Sequence, residues 1–93
     1  MMASSARDMA VSIKITPEAL EQVERLHEPI YSRILAAVER LKDWPSVSGV
    51  KALHGRQAGH FRIRTGDYRI QFRMEGQGLI VEKIGHRDGF YED

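Results

Sequence analysis

Cysteine is absent from this 93-residue chain, which excludes disulfides, thiolate metal sites and a cysteine nucleophile. The four histidines, His27, His54, His60 and His86, are scattered, and no two stand at a metal-ligand spacing. No apolar run approaches the roughly 20 residues of a membrane span. The amino terminus lacks the apolar segment of a signal peptide. Internal repeats and low-complexity segments are missing too. Proline is scarce, with three residues, and each marks a boundary: Pro17 suits a first helical turn, Pro29 interrupts a helical stretch, and Pro45 opens a loop. What remains, 42% hydrophobic and 29% charged residues, describes one small globular domain near the lower size limit for a self-sufficient core. A chain this small, without staples, is expected to lean on a partner for stability.

Residues 1–10 read as a disordered lead-in or a leftover of expression, and residues 11–93 as the domain. Val11 to Ile15 alternates apolar and polar residues, as a half-buried strand does. At Thr16-Pro17-Glu18 the period changes, with Thr16 placed to cap a helix and Glu18 at the positive end of its dipole. Leu20, Val23, Leu26 and His27 continue that helix. A second helix is predicted from Ile30 to about Asp43, with Ile30, Ile34, Val38 and Leu41 on one stripe. Trp44 to Gly59 is rich in Pro, Ser and Gly and reads as loop. Three strands follow, His60 to Thr65, Tyr68 to Met74 and Leu79 to Ile84, joined by turns at Gly66-Asp67 and Gly76-Gln77. The expected fold class is α+β: a strand, a helical hairpin packed on one sheet face, and a three-stranded antiparallel meander.

Charge is distributed unevenly. Lys51, Arg56, Arg62, Arg64, Arg69 and Arg73 face only Asp67 within one stretch, a net +5 in a chain whose total is +1. Strand alternation sends Phe61, Ile63, Tyr68, Ile70 and Phe72 toward the helices, and Arg62, Arg64, Arg69 and Arg73 to the opposite face. Such a row deters edge pairing, and it also suits phosphate, whose oxygens match the guanidinium fork.

The run Phe61-Arg62-Ile63-Arg64-Thr65-Gly66-Asp67-Tyr68-Arg69-Ile70, followed by Ile84-Gly85-His86-Arg87 and Tyr91, resembles the RelE family of bacterial and archaeal toxins, within the RelE/ParE type II toxin–antitoxin superfamily. Val50 to Gly55 resembles that family's approach to its second strand. The likeness covers residues 11 to 91. It implies a toxin that enters the ribosomal A site and cuts messenger RNA without a metal or other cofactor. The ribose 2′-hydroxyl attacks the neighbouring phosphorus, leaving a 2′,3′-cyclic phosphate and a 5′-hydroxyl. It further implies a cytoplasmic protein, an antitoxin that blocks it, and no membrane partner.

The resemblance assigns catalytic roles to Arg64, Arg87 and Tyr91: Arg87 to the transition state and leaving oxygen, Tyr91 to the attacking hydroxyl. It assigns RNA phosphate binding to Arg62, Arg69, Arg73 and Lys51. Arg62 and Arg64 stand where well-studied members carry lysines, and arginine keeps the charge but trades no proton. Some related toxins use a glutamate–histidine pair, for which the sequence offers His86 and no evident glutamate. Two other functions fit the same pattern. One is a ParE-type toxin that inhibits DNA gyrase through protein contacts, a reading that gives Tyr91 no role. The other is a noncatalytic ribosome-binding, RNA-binding or antitoxin-complex protein.

Overall fold

The computed structural model describes residues 11–90. The lead-in expected at residues 1–10 and the tyrosine expected in catalysis, Tyr91, lie outside the described residues. The elements run β1 (Ser12–Ile15), α1 (Pro17–Glu24), α2 (Ile30–Arg40), β2 (Val50–Ala52), β3 (His60–Thr65), β4 (Tyr68–Glu75) and β5 (Gly78–His86). They form a five-stranded sheet in the order β1-β5-β4-β3-β2. The pair β1–β5 is parallel and the other pairs are antiparallel. The α+β fold class read from the sequence is the one observed, with four differences in detail, the first being that α1 ends at Glu24, before the Leu26 and His27 expected to continue it. The stretch read as loop contains β2, which pairs with β3 through Val50 to Ala52; three residues are too few for a period to show. The second helix tightens into a 3-10 turn at Leu41–Asp43, as helix ends commonly do. The last strand runs two residues further, to His86.

Local chemistry explains the elements. Thr16 takes extended backbone geometry, and its hydroxyl accepts from Ala19 N at 3.1 Å, satisfying one of the amides that a helix start leaves bare. At both hairpins glycine fills the first turn position with positive φ, +60° at Gly66 and +62° at Gly76, the geometry that two-residue turns of the II′ kind demand.

Both helices lie on one face of the sheet, α1 over β5 and α2 over β3 and β4. Between the layers Ile34, Leu41, Ile63, Ile70, Phe72, Leu79 and Val81 are fully buried. Each such side chain contributes about 1.5–3 kcal/mol by leaving water. Trp44, just after α2, meets Phe61 and Phe72 edge-on, with centroids at 4.9 and 5.2 Å. This is the helix-end packing expected of it.

One irregularity interrupts the pairing of β4 with β5. Ile70 pairs with Ile84 and Phe72 with Val81, so a single residue of β4, Gln71, stands opposite two of β5, Glu82 and Lys83. This β-bulge lets Val81 and Ile84, three apart, both enter the core, while Glu82, next to the inward Val81, lies on the bare face by simple alternation. β1 ends at Ile15, opposite Val81, and α1 takes over beside the bulge. Thr16 N donates to Val81 O at 3.0 Å, the Thr16 hydroxyl donates to Glu82 O at 3.5 Å, and Ile84 N donates to Gln22 Oε1 at 2.7 Å. Backbone groups that lose a strand partner thus find one in the helix.

Candidate functional site

The sheet face away from the helices is crossed by rows of paired residues. Arg64 stands opposite Arg69 at the hairpin end, Arg62 opposite Gln71 in the middle, and His60 opposite Arg73 at the far end. Lys51 on β2 pairs with Arg62 and extends the middle row to the sheet edge. The expected faces hold: Phe61, Ile63, Tyr68, Ile70 and Phe72 belong to the core, and the arginines between them lie opposite. Two strand residues advance about 7 Å, so the cationic side chains form a ladder and not one cluster.

The top of the ladder is a pocket of about 390 Å³ lined by Gly49, Arg64, Gly66, Asp67, Arg69 and Arg87. Three positions expected from the sequence meet there. Arg64 is exposed at the rim, while Arg69 is buried, with 9% of its surface accessible. Arg87 is brought in by the chain after β5: its amide donates to Asp67 O at 2.7 Å, tying the tail to the hairpin tip. Its guanidinium stays 57% exposed, 4.0 Å from Asp67 and 3.6 Å from Asp88. Three guanidiniums against the carboxylates of Asp67 and Asp88 leave this concavity net positive, suited to a phosphoryl group and to the negative charge that grows on it during displacement.

Further down, Arg62 and Lys51 stand one row from the pocket. Arg73, two rows away, is ion-paired with Glu82 at 3.3 Å and lies 4.0 Å from Glu75, so its charge is largely answered within the protein. His86 shares a face with Tyr68, its register partner, and packs edge-on against that ring at 5.3 Å. Its ring lies on the Tyr68 side of the sheet, and its Nδ1 accepts from Asp88 N at 3.0 Å and stands 3.6 Å from the Asp88 carboxylate that also meets Arg87. The glutamate–histidine pair with no evident members in sequence exists elsewhere: His60 Nδ1 contacts Glu82 Oε2 on the arginine face. The tail closes over this face, with Phe90 buried against Gly85 and Lys83 above its ring at 4.8 Å. Among the described residues no group of three or more His, Asp or Glu is arranged to hold a metal ion, and no helix is long and apolar enough to cross a membrane.

Residues 13–89 match the profile of the ParE toxin of type II toxin–antitoxin systems. The chain belongs to the ParE toxin family. This family lies within the wider RelE-like superfamily, and solved structures agree at the level of fold. The toxin–antitoxin complex RelBE2 of Mycobacterium tuberculosis contains a chain that superposes with a TM-score of 0.72 at 20% identity, covering 84% of this chain and 99% of that one. A YoeB/ParE toxin from Agrobacterium tumefaciens gives 0.71 at 23%, covering 82% and 98%. The RelB–RelE complex of Methanococcus jannaschii gives 0.70 at 22%, covering 85% and 95%. A search of curated proteins finds no match. The protein is thus a toxin of a type II toxin–antitoxin system.

Proposed function

We propose that this ParE-family toxin is a metal-independent endoribonuclease that cuts messenger RNA in the ribosomal A site and so halts translation. The observation that carries the reading is the pocket where Arg64, Arg69 and Arg87 converge. Fixed guanidiniums there stabilise the charge that builds on nonbridging oxygens as the 2′-hydroxyl attacks phosphorus. Arg64 and Arg87 act on the reacting phosphoryl group, Tyr91 takes or orients the 2′-hydroxyl proton, and Arg69, Arg62 and Lys51 hold flanking phosphates. Arg73, through its pair with Glu82, plays a lesser part in holding RNA than its place in the sequence suggests. An antitoxin that covers this face would silence it; solved relatives of the same fold include RelB–RelE antitoxin–toxin complexes.

Mapping messenger RNA ends in a translation reaction tests the proposal. New 2′,3′-cyclic phosphate ends at A-site codons are expected only when the protein is present; intact message would remove the reading. A second reading, inhibition of DNA gyrase, is favoured by the family match over residues 13–89. A supercoiling assay separates the two, because a gyrase inhibitor blocks supercoiling and leaves message uncut.

A further inference from the structure

The bare face holds a second concavity, at the end away from the arginine pocket. Ile13, Ile15, Met74, Leu79 and Val81 belong to the core or pack against it, so alternation sends Ser12, Lys14, Glu75, Gly78 and Ile80 to the bare face. Register brings them side by side. Ser12 and Glu75 flank Gly78, and Lys14 and Arg73 flank Ile80. With Gln77 of the β4–β5 turn, Ser12, Lys14, Glu75, Gly78 and Ile80 line a hollow of about 280 Å³. Gly78 keeps it open, since a Cβ there would come within 3.1 Å of the Ser12 hydroxyl oxygen.

This hollow differs in chemistry from the arginine pocket. One ammonium, Lys14, is matched by one carboxylate, Glu75, which leaves no surplus charge for a phosphate. Ile80 supplies an apolar wall, while Ser12 and Gln77 supply neutral donors and acceptors. A flat, uncharged group with a hydrogen-bonding edge suits such a place, and an unstacked base of single-stranded RNA is one. Arg73 has its use here. Its guanidinium lies 3.3 Å from Glu82 and 4.0 Å from Glu75, and so steadies the Glu75 carboxylate beside the hollow. A carboxylate only accepts. Of the four bases, guanine alone offers two adjacent N–H donors on its Watson–Crick edge, with an acceptor oxygen beside them for an ammonium.

We propose that this hollow is a base-reading subsite for guanine, in which Glu75 accepts from N1 and N2, Lys14 donates to O6 and Ile80 packs against the ring. The inference rests on the nuclease reading and leaves the reacting linkage at Arg64 and Arg87. From Arg69 to Glu75 the strand β4 advances roughly 20 Å. The base read therefore belongs to a nucleotide a few positions from the cut, and the subsite sets which messages are cut, not how the bond breaks. Arg62, in the row between, faces the phosphates that join the two places.

The test sequences the cut ends of a message library, randomised around the A-site codon and translated with the purified protein. The wild-type protein is expected to favour guanine about tenfold or more over other bases at one fixed position away from the cut, the discrimination of a good bidentate contact. Glu75→Gln should bring that ratio close to one, because the amide sets an N–H against an N–H. Lys14→Gln should lower the ratio less. The readout is a ratio within one reaction, so it does not depend on how much of a variant is folded. Arg64→Gln, in contrast, should slow cleavage of every message and keep the ratio. An even base distribution outside the cut linkage, or a guanine preference that survives Glu75→Gln, overturns the subsite and leaves the nuclease reading standing. A library that the wild-type protein leaves intact removes the nuclease reading, and the subsite with it.

Discussion

Arg87 is held at two levels. Its amide is fixed to Asp67 O, and its guanidinium reaches into the pocket between Asp67 and Asp88. Removing the side chain leaves the hairpin intact and takes one cation from the pocket to which the nuclease reading assigns the reacting phosphoryl group. Arg87→Ala is therefore expected to reduce cleavage by about 100-fold or more, with unfolding midpoints unchanged in denaturant. Residues of this kind were legible in the sequence because β3 and β4 alternate cleanly across the Gly66-Asp67 turn, which fixes the faces of Arg62, Arg64 and Arg69. His60 and Glu82 were not. They are separated by 22 positions, and their contact depends on β3 and β5 lying on either side of β4, an order that neither segment shows by itself. The bulge has one trace in the sequence, the spacing of Val81 and Ile84, apolar at an interval of three inside a strand.

At the scale of elements, the contact between α1 and β5 explains how a strand interrupted in mid-course remains ordered. Gln22 serves as a substitute strand partner for Ile84 N. Gln22→Ala would leave that amide without its acceptor, at a cost of about 1–3 kcal/mol, measurable as a lower urea midpoint. The hairpin tip makes a second demand. Gly66 has open space where a Cβ would stand but a φ of +60°, so Gly66→Ala meets backbone strain, not a clash, and should cost about 1–2 kcal/mol. The pocket it lines should distort as well, lowering RNA binding. Helix starts and hairpin turns were readable because Thr16, Pro17, Gly66 and Gly76 carry their geometry in their own chemistry. β2 was not, since Val50 to Ala52 owes its extended form to pairing with β3, a tertiary cause.

The whole molecule is a two-sided sheet, one side closed by helices and the other bearing a ladder of charge. A strand of RNA on the open side would displace counterions from each phosphate it seats. Arg64→Gln should lower the slope of log binding constant against log salt by about 0.7, the value for one single-strand phosphate contact; an unchanged slope would place the RNA elsewhere. Fold class was readable at this scale because the order of periods, strand then helices then meander, leaves few arrangements that bury every apolar face.

The parallel pairing of β1 with β5 has a further consequence. The first strand to leave a ribosome waits for the last one before it has a neighbour, and such distant pairings form late. A nascent chain halted before Gly78 leaves Ser12 to Ile15 with no hydrogen-bond partner in the sheet and has not yet made Arg87. On the nuclease reading, cleavage needs β5 and Arg87 in place, so a product truncated before Gly78 is expected to leave message intact in a translation reaction.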